Sequence, residues 1–159
     1  LINSIVNHCD RIEIACYAQL VNVIAPILTQ TGGKAIKQTI FYPLKYAANN
    51  LSGDVYKCKT DCGNFKAGKY GKVPSVSVSF VKNENEAYFW VCNLSEETID
   101  ASFTAGEKIH FKKAVFMTES DEVNSFEKPF NVVPCETEVK NDELTLLPRT
   151  WYFIEGEVK

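Results

Sequence analysis

The sequence predicts a mostly β chain: an antiparallel sandwich or jelly roll preceded by a shorter α/β segment. Three observations carry that expectation. Residues 75–80 read Ser-Val-Ser-Val-Ser-Phe, the strict alternation of a half-buried strand. From there to the end, short apolar runs are separated by polar or Pro-containing turns, as in all-β domains. Before Asn50 the character differs, with an apolar run, a glycine loop and a helical pattern in succession.

Along the chain, Ile2, Ile5, Val6 and Cys9 fall on one helical face. From Ile12 the pattern becomes that of a strand apolar on both parities, with Ile12, Ile14, Cys16 and Leu20 on one and Ala15, Tyr17 and Val21 on the other. Such strands belong to sheets covered on both faces. So little chain precedes this one to supply covering layers that the chain is expected to be the end of a larger protein. Thr31-Gly32-Gly33 supplies a loop, and a helix is expected from Ala35 to Asn50, with Pro43 placed in its first turn or at a kink. Residues 51–72 are polar and glycine-bearing. Strands follow at 75–80 and 87–94, joined by a hairpin loop at 82–85. Further strands are expected around 99–103, 108–117, 130–140, 143–147 and 150–155. The boundary near residue 50 divides the chain into residues 1–50 and 51–159.

Composition bounds the function. Among 159 residues the apolar fraction is 45%, the charged fraction 23% and the net charge -3. That balance argues against nucleic acid and anionic membrane as partners, since both favour clustered Lys and Arg. The run at residues 12–28 carries Glu13, Gln19, Asn22 and Pro26 and reads as a core segment, not a membrane span. No export signal is visible at the start, and if the chain is the end of a larger protein, that says little about export of the parent. The cysteines, Cys9, Cys16, Cys58, Cys62, Cys92 and Cys135, are expected to be reduced thiols, as in the cytosol. Cys58-x3-Cys62 has no second pair to complete a zinc site.

Few residues offer chemistry. The carboxylate pairs Glu84/Glu86, Glu96/Glu97, Asp121/Glu122, Glu136/Glu138 and Asp142/Glu143 lie in turns or at strand ends, where acidic groups keep edges soluble. Asp10 and Glu13 stand at the wrong end of the buried strand for catalysis. His8 and His110 have no nucleophile on a tight turn nearby, and Gly32-Gly33 lacks the frame of a phosphate loop. The aromatics Tyr88, Phe89, Trp90, Trp151, Tyr152 and Phe153 read as core before they read as a ligand platform. The loop after the buried strand, residues 22–38, would face ligands if that strand belonged to a barrel. Gln38 there serves equally well as a sugar-hydroxyl contact or as a helix-start or surface residue.

Several stretches, at both ends of the chain, carry a resemblance. His8-Cys9-Asp10-Arg11-Ile12-Glu13-Ile14-Ala15-Cys16, with Ala18-Gln19-Leu20-Val21-Asn22-Val23-Ile24-Ala25-Pro26-Ile27, resembles the last barrel strand of the α-L-arabinofuranosidases of glycoside hydrolase family 51. Gln38-Thr39-Ile40-Phe41-Tyr42-Pro43 is similar to the segment opening that family's final barrel helix. The likeness continues at Asn124-Ser125-Phe126-Glu127-Lys128-Pro129 and ends at Leu147-Pro148-Arg149-Thr150-Trp151, where the family often has Ser for Thr150. Residues 55–72 and 95–120 match weakly, and the Cys58/Cys62 region departs from the pattern.

The resemblance implies a (β/α)8 barrel followed by a jelly-roll sandwich, with residues 1–50 the end of the barrel. It implies a retaining hydrolase that removes terminal non-reducing α-L-arabinofuranosyl residues from oligosaccharides and needs no cofactor. Its two catalytic glutamates would lie on earlier barrel strands, so this chain holds no catalytic residue and is inactive alone. Gln38 corresponds to the family's substrate-binding glutamine. The implied partners are the substrate, the remainder of the barrel and further copies in a homo-oligomer, in the cytoplasm. The competing expectations are a glycan-binding sandwich and a sandwich with a structural or oligomer-forming role.

Overall fold

The computed structural model describes residues 1–104 and 106–159. Among the described residues two α-helices, a short 3-10 turn (Gly68–Tyr70) and twelve strands follow in chain order. Helix α1 (Ile2–Val6) is one short turn whose Val6 is buried, whereas Cys9 beyond it is exposed. Strands β1 (Ile27–Thr29) and β2 (Ala35–Lys37) form a small antiparallel hairpin with Leu28 opposite Ile36. Gly32, with a left-handed φ of 67°, sits in its turn. Helix α2 (Phe41–Asn50) follows, and Pro43 lies in its first turn, where the ring meets no preceding carbonyl.

Two expectations fail here. Residues 12–20 form no strand, and Ile14, Leu20 and Val23 are 81%, 68% and 80% exposed. Apolar residues on both parities state that both faces want cover. Among the described residues, only the single bridge of Val21 to Ile27 gives this stretch a β partner, so its backbone stays irregular. The helix expected from Ala35 begins instead at Phe41, because residues 35–37 pair with β1. Residues 51–72, polar and glycine-bearing, contain the three-residue strands β3 (Asp54–Tyr56) and β4 (Asn64–Lys66), with β5 (Lys72–Pro74) at their end.

The sandwich is built on a six-stranded antiparallel sheet. Its strands are β6 (Val76–Asn83), β7 (Glu86–Asn93), β9 (Ile109–Thr118), β10 (Cys135–Thr137), β12 (Thr150–Val158) and β3, in the order β10-β9-β12-β7-β6-β3. Strands β8 (Ile99–Ser102) and β11 (Glu143–Leu146) pair as a ribbon, and β4 pairs with β5. Strand β10 is far shorter than the run expected at 130–140. The β6–β7 turn is two residues, Glu84 and Asn85, with Glu84 at φ 53°. Before β11, Asn141 and Asp142 both adopt left-handed φ, the signature of a tight primed turn.

Both faces of the sheet are covered, which the period of two makes legible residue by residue. Ala87, Phe89, Val91, Ala114, Tyr152 and Ile154 point to the β8–β11 ribbon and pack with Leu144 and Leu146. Val81, Trp90, Val115 and Phe153 point the other way, against Val6 of α1 and Tyr46 of α2. Each fully buried Val, Ile, Leu or Phe among them contributes roughly 1.5–3 kcal/mol. The helices from residues 1–50 therefore form an outer layer of the sandwich. Asn3, 5% exposed, fixes α1 to the sheet: its amide donates to the Ser77 carbonyl at 3.0 Å and the Trp90 carbonyl at 3.1 Å. Its oxygen accepts from the Ser79 hydroxyl.

Candidate functional site

The expected carboxylate pairs are surface groups. Glu84, Glu96, Glu97, Asp121, Glu122, Glu136, Glu138, Asp142 and Glu143 are exposed, as are Asp10 and Glu13, and Glu86 is half-buried. Several are neutralised by bases: Glu86 by Lys112, Glu96 by Arg149, Glu136 by Lys113 and Glu138 by Lys140. The Lys113 hydrogen bond holds the Glu136 carboxyl below its ordinary range, the opposite of what a general acid needs. His8 lies 2.7 Å from the Ser4 carbonyl and His110 is exposed.

The aromatic residues belong mainly to the core. Trp90, Tyr152 and Phe153 are at most 1% exposed, and Phe89 stacks on Phe80 with centroids 4.4 Å apart. Tyr88 and Trp151 are half-buried under α2, where Tyr46 packs on Trp151 and Phe153. The six cysteines are free thiols; Cys16, read as part of a buried run, is exposed. Among the described residues, no three His, Cys, Asp or Glu side chains gather as metal ligands, and no helix is long and apolar enough to cross a membrane.

Gln38 joins β2 to α2. Its backbone N–H donates to the Pro26 carbonyl at 2.8 Å, and its side-chain amide donates to the carbonyl of the buried Ala25. These bonds close the base of the β1–β2 hairpin and fix the direction of a half-buried amide. The Gln38 carbonyl accepts from the Phe41 N–H and starts α2, while the Lys37 ammonium lies 5.0 Å from the Phe41 ring centre. Two surface depressions of about 320 and 310 Å³ lie elsewhere, one beside Cys58 and Leu94 and one beside Tyr56 and Glu107, and Gln38 lines neither.

Two asparagines order this region, and neither stands out by residue type alone. Asn22, at φ 63°, accepts from the Thr29 N–H at 2.7 Å and donates to the Thr29 hydroxyl at 2.9 Å. Asn124, 7% exposed, donates to the Lys37 carbonyl at 2.8 Å and the Val132 carbonyl at 2.9 Å, and accepts from the Val132 N–H at 2.7 Å. Both lie in stretches that carry the family resemblance. At the other such stretch, Arg149 bridges Glu96 and Glu119, and the Tyr152 hydroxyl accepts the Leu147 N–H at 2.7 Å. Those contacts hold the corner before β12. What the Gln38 region can do chemically is offer an oriented neutral amide, a group suited to hydroxyls and unable to act as acid or base at ordinary pH.

Comparison with known proteins gives these features a context. The family model described as the α-L-arabinofuranosidase C-terminal domain matches residues 1–148. An intracellular exo-α-(1→5)-L-arabinofuranosidase of Streptomyces lividans is 30% identical over 95% of this chain and 24% of its own length. One from Bacillus subtilis is 41% identical over 54% of this chain and 17% of its own. The chain thus spans about a quarter or less of the length of these relatives. Among solved structures, a family 51 α-L-arabinofuranosidase from Bifidobacterium longum superposes with TM-score 0.93 at 28% identity, over 99% of this chain and 33% of that one. The fold is shared with an arabinose complex of the Thermotoga maritima enzyme at TM-score 0.74 and 21% identity. The chain belongs to the α-L-arabinofuranosidase C-terminal domain family, that of the family 51 glycosidases.

Proposed function

We propose that this chain is the C-terminal part of a retaining α-L-arabinofuranosidase, one that removes terminal arabinofuranosyl residues from arabinose-containing oligosaccharides. Residues 1–50 close a catalytic barrel, and residues 51–159 form the sandwich that supports it. One observation carries the reading. A stretch whose sequence matches a buried barrel strand leaves Ile14, Leu20, Val23 and Ile24 exposed, while the helices on either side of it pack normally on the sandwich. The remaining barrel strands are the cover that such a strip calls for.

In this reading the chain contributes no acid, base or nucleophile. Retention of configuration needs two carboxyl groups about 5–5.5 Å apart on either side of the scissile bond, whereas several surface glutamates here are held in ion pairs with Lys or Arg. Gln38 contributes a substrate contact, its amide fixed by the Ala25 carbonyl and aimed to orient sugar hydroxyls. The parent enzyme acts in the cytoplasm and forms a homo-oligomer, with the sandwich in a supporting role. The buried aromatic residues favour this over a glycan-binding sandwich.

The test compares the 159-residue chain with the same chain joined to its upstream barrel, on an aryl α-L-arabinofuranoside. The joined enzyme releases arabinose with the anomeric configuration retained, and the chain alone releases none. Turnover by the chain alone, or inversion by the joined enzyme, contradicts the reading.

A further inference from the structure

We infer that Asn124, in the loop between β9 and β10, is a positioning residue that sets the place of Gln38 and so tunes substrate binding from the sandwich side. The inference rests on the proposed role of Gln38 in substrate contact.

The geometry is specific. Lys37 immediately precedes Gln38, and its carbonyl is the acceptor of the Asn124 amide at 2.8 Å, across 87 residues of sequence. The same amide group grips Val132 through both the carbonyl and the N–H of that residue. Asn124 therefore uses both ends of its side chain to lock its own loop and spends its remaining donor on the backbone beside Gln38. Ser125 and Lys128 complete the loop lock, with the Ser125 N–H donating to the Lys128 carbonyl and the Lys128 N–H to the Ser125 hydroxyl, each at 3.1 Å.

This contact matters because the Gln38 hairpin has few other anchors. Strands β1 and β2 form a two-stranded sheet of three residues each, and among their residues only Ile36 is buried. Beyond that pairing, the Val21–Ile27 bridge and the Asn22–Thr29 bonds tie them to the exposed run before them. A two-stranded hairpin of that length is marginal without outside support. An error of about 1 Å in a substrate-orienting group is enough to lower the rate severely. No residue type other than asparagine of this size both donates and accepts as needed. Aspartate would set a carboxylate against two carbonyl oxygens, and alanine would leave those groups unpaired.

Two measurements test it. In the joined enzyme, Gln38→Ala, Asn124→Ala, Asn124→Asp and the Gln38→Ala/Asn124→Ala double variant are compared on an aryl arabinofuranoside. As a stability control, Asn93→Ala removes another buried asparagine clamp, one that holds Glu97, Leu146 and Leu147 and touches neither Lys37 nor Gln38. Asn124→Ala and Asn124→Asp each raise KM by roughly 3–10-fold. The double variant is no worse than Gln38→Ala, and Asn93→Ala lowers thermal stability with KM unchanged. Unchanged kinetics in Gln38→Ala would remove the substrate role of Gln38. A defect in Gln38→Ala beside wild-type KM in Asn124→Ala, or a double variant in which the two defects multiply, overturns the positioning role alone. In the 159-residue chain, Asn124→Ala speeds amide hydrogen exchange at residues 36–38 severalfold over wild type and over Asn93→Ala, and equal rates in all three proteins also overturn it.

Discussion

Replacing Asn3 by alanine should loosen the whole helical layer from the sheet. Helix α1 is only five residues long and has no side-chain cap, so its own backbone bonds cannot hold it. What holds it is Val6 in the core and the Asn3 amide, which reaches two backbone carbonyls on neighbouring strands β6 and β7. A net hydrogen bond contributes about 0.5–1.5 kcal/mol, and leaving a buried group unpaired costs more. Two such bonds give a loss of about 2 kcal/mol for Asn3→Ala. For a domain of this length that corresponds to a fall in Tm of about 4–8 °C. Asn7 is the internal control: its amide donates to the Val78 carbonyl at 2.8 Å, but its side chain is exposed. Asn7→Ala should therefore cost less than about 1 kcal/mol, since water replaces the lost partner. The assay is thermal unfolding followed by far-UV circular dichroism, with urea titration to fix the free energies. Equal Tm values for the two variants, or an Asn3→Ala protein within experimental error of wild type, would refute burial as the source of the effect.

Other outcomes follow from the same structure. Gly53 has φ of 130°, and a Cβ placed there would stand 2.2 Å from the Lys82 carbonyl oxygen; Gly53→Ala should separate β3 from β6 and cost at least about 2 kcal/mol in urea denaturation. Ile14→Ser should change the stability of the 159-residue chain by less than about 0.5 kcal/mol, because the side chain is already in water. In the joined enzyme the same change should cost about 1.5–3 kcal/mol, and equal costs in both proteins would count against a buried barrel strand. Burial raises the Tyr152 hydroxyl above the ordinary phenol range. The folded state thus holds that proton more tightly than the unfolded state, so its contribution is complete below about pH 10 and is lost as pH rises through the folded value. Tyr152→Phe should lower stability by about 1 kcal/mol at neutral pH by orphaning the Leu147 N–H, and should flatten the alkaline fall.

The sandwich was largely legible because its strands are long enough for a period of two to show. Residues 75–80 alternate strictly and 87–92 are a continuous apolar run, and β6 and β7 stand where those patterns put them. The aromatic residues of β7 and β12 read as core, but nothing in their pattern told that α1 and α2 would cover one face of the sheet. Strands β3, β4 and β5 escaped notice because three residues carry too little pattern. Residues 12–26 show the limit of reading periodicity: it states that a segment wants burial and is silent on what buries it. The sequence left Gln38 evenly balanced between substrate contact and helix-start or surface residue, since an amide in a loop has no periodic signature, and only the resemblance tipped it toward the proposed substrate role. The role of Asn124 was hidden for a related reason: its partners are backbone atoms, one of them 87 residues away, and no side-chain pattern records them.

The central claim, that residues 12–26 are the last strand of a barrel completed elsewhere in the enzyme, is most directly tested at Cys16. In the 159-residue chain Cys16 and Cys135 are both exposed. A neutral alkylating reagent, with modification followed by mass spectrometry, should label them at similar rates. In the enzyme that includes the upstream barrel, Cys135 should react as before, while Cys16 should react at least roughly tenfold more slowly, since a strand covered on both faces opens only by local unfolding. Equal labelling of Cys16 with and without the barrel would contradict the claim.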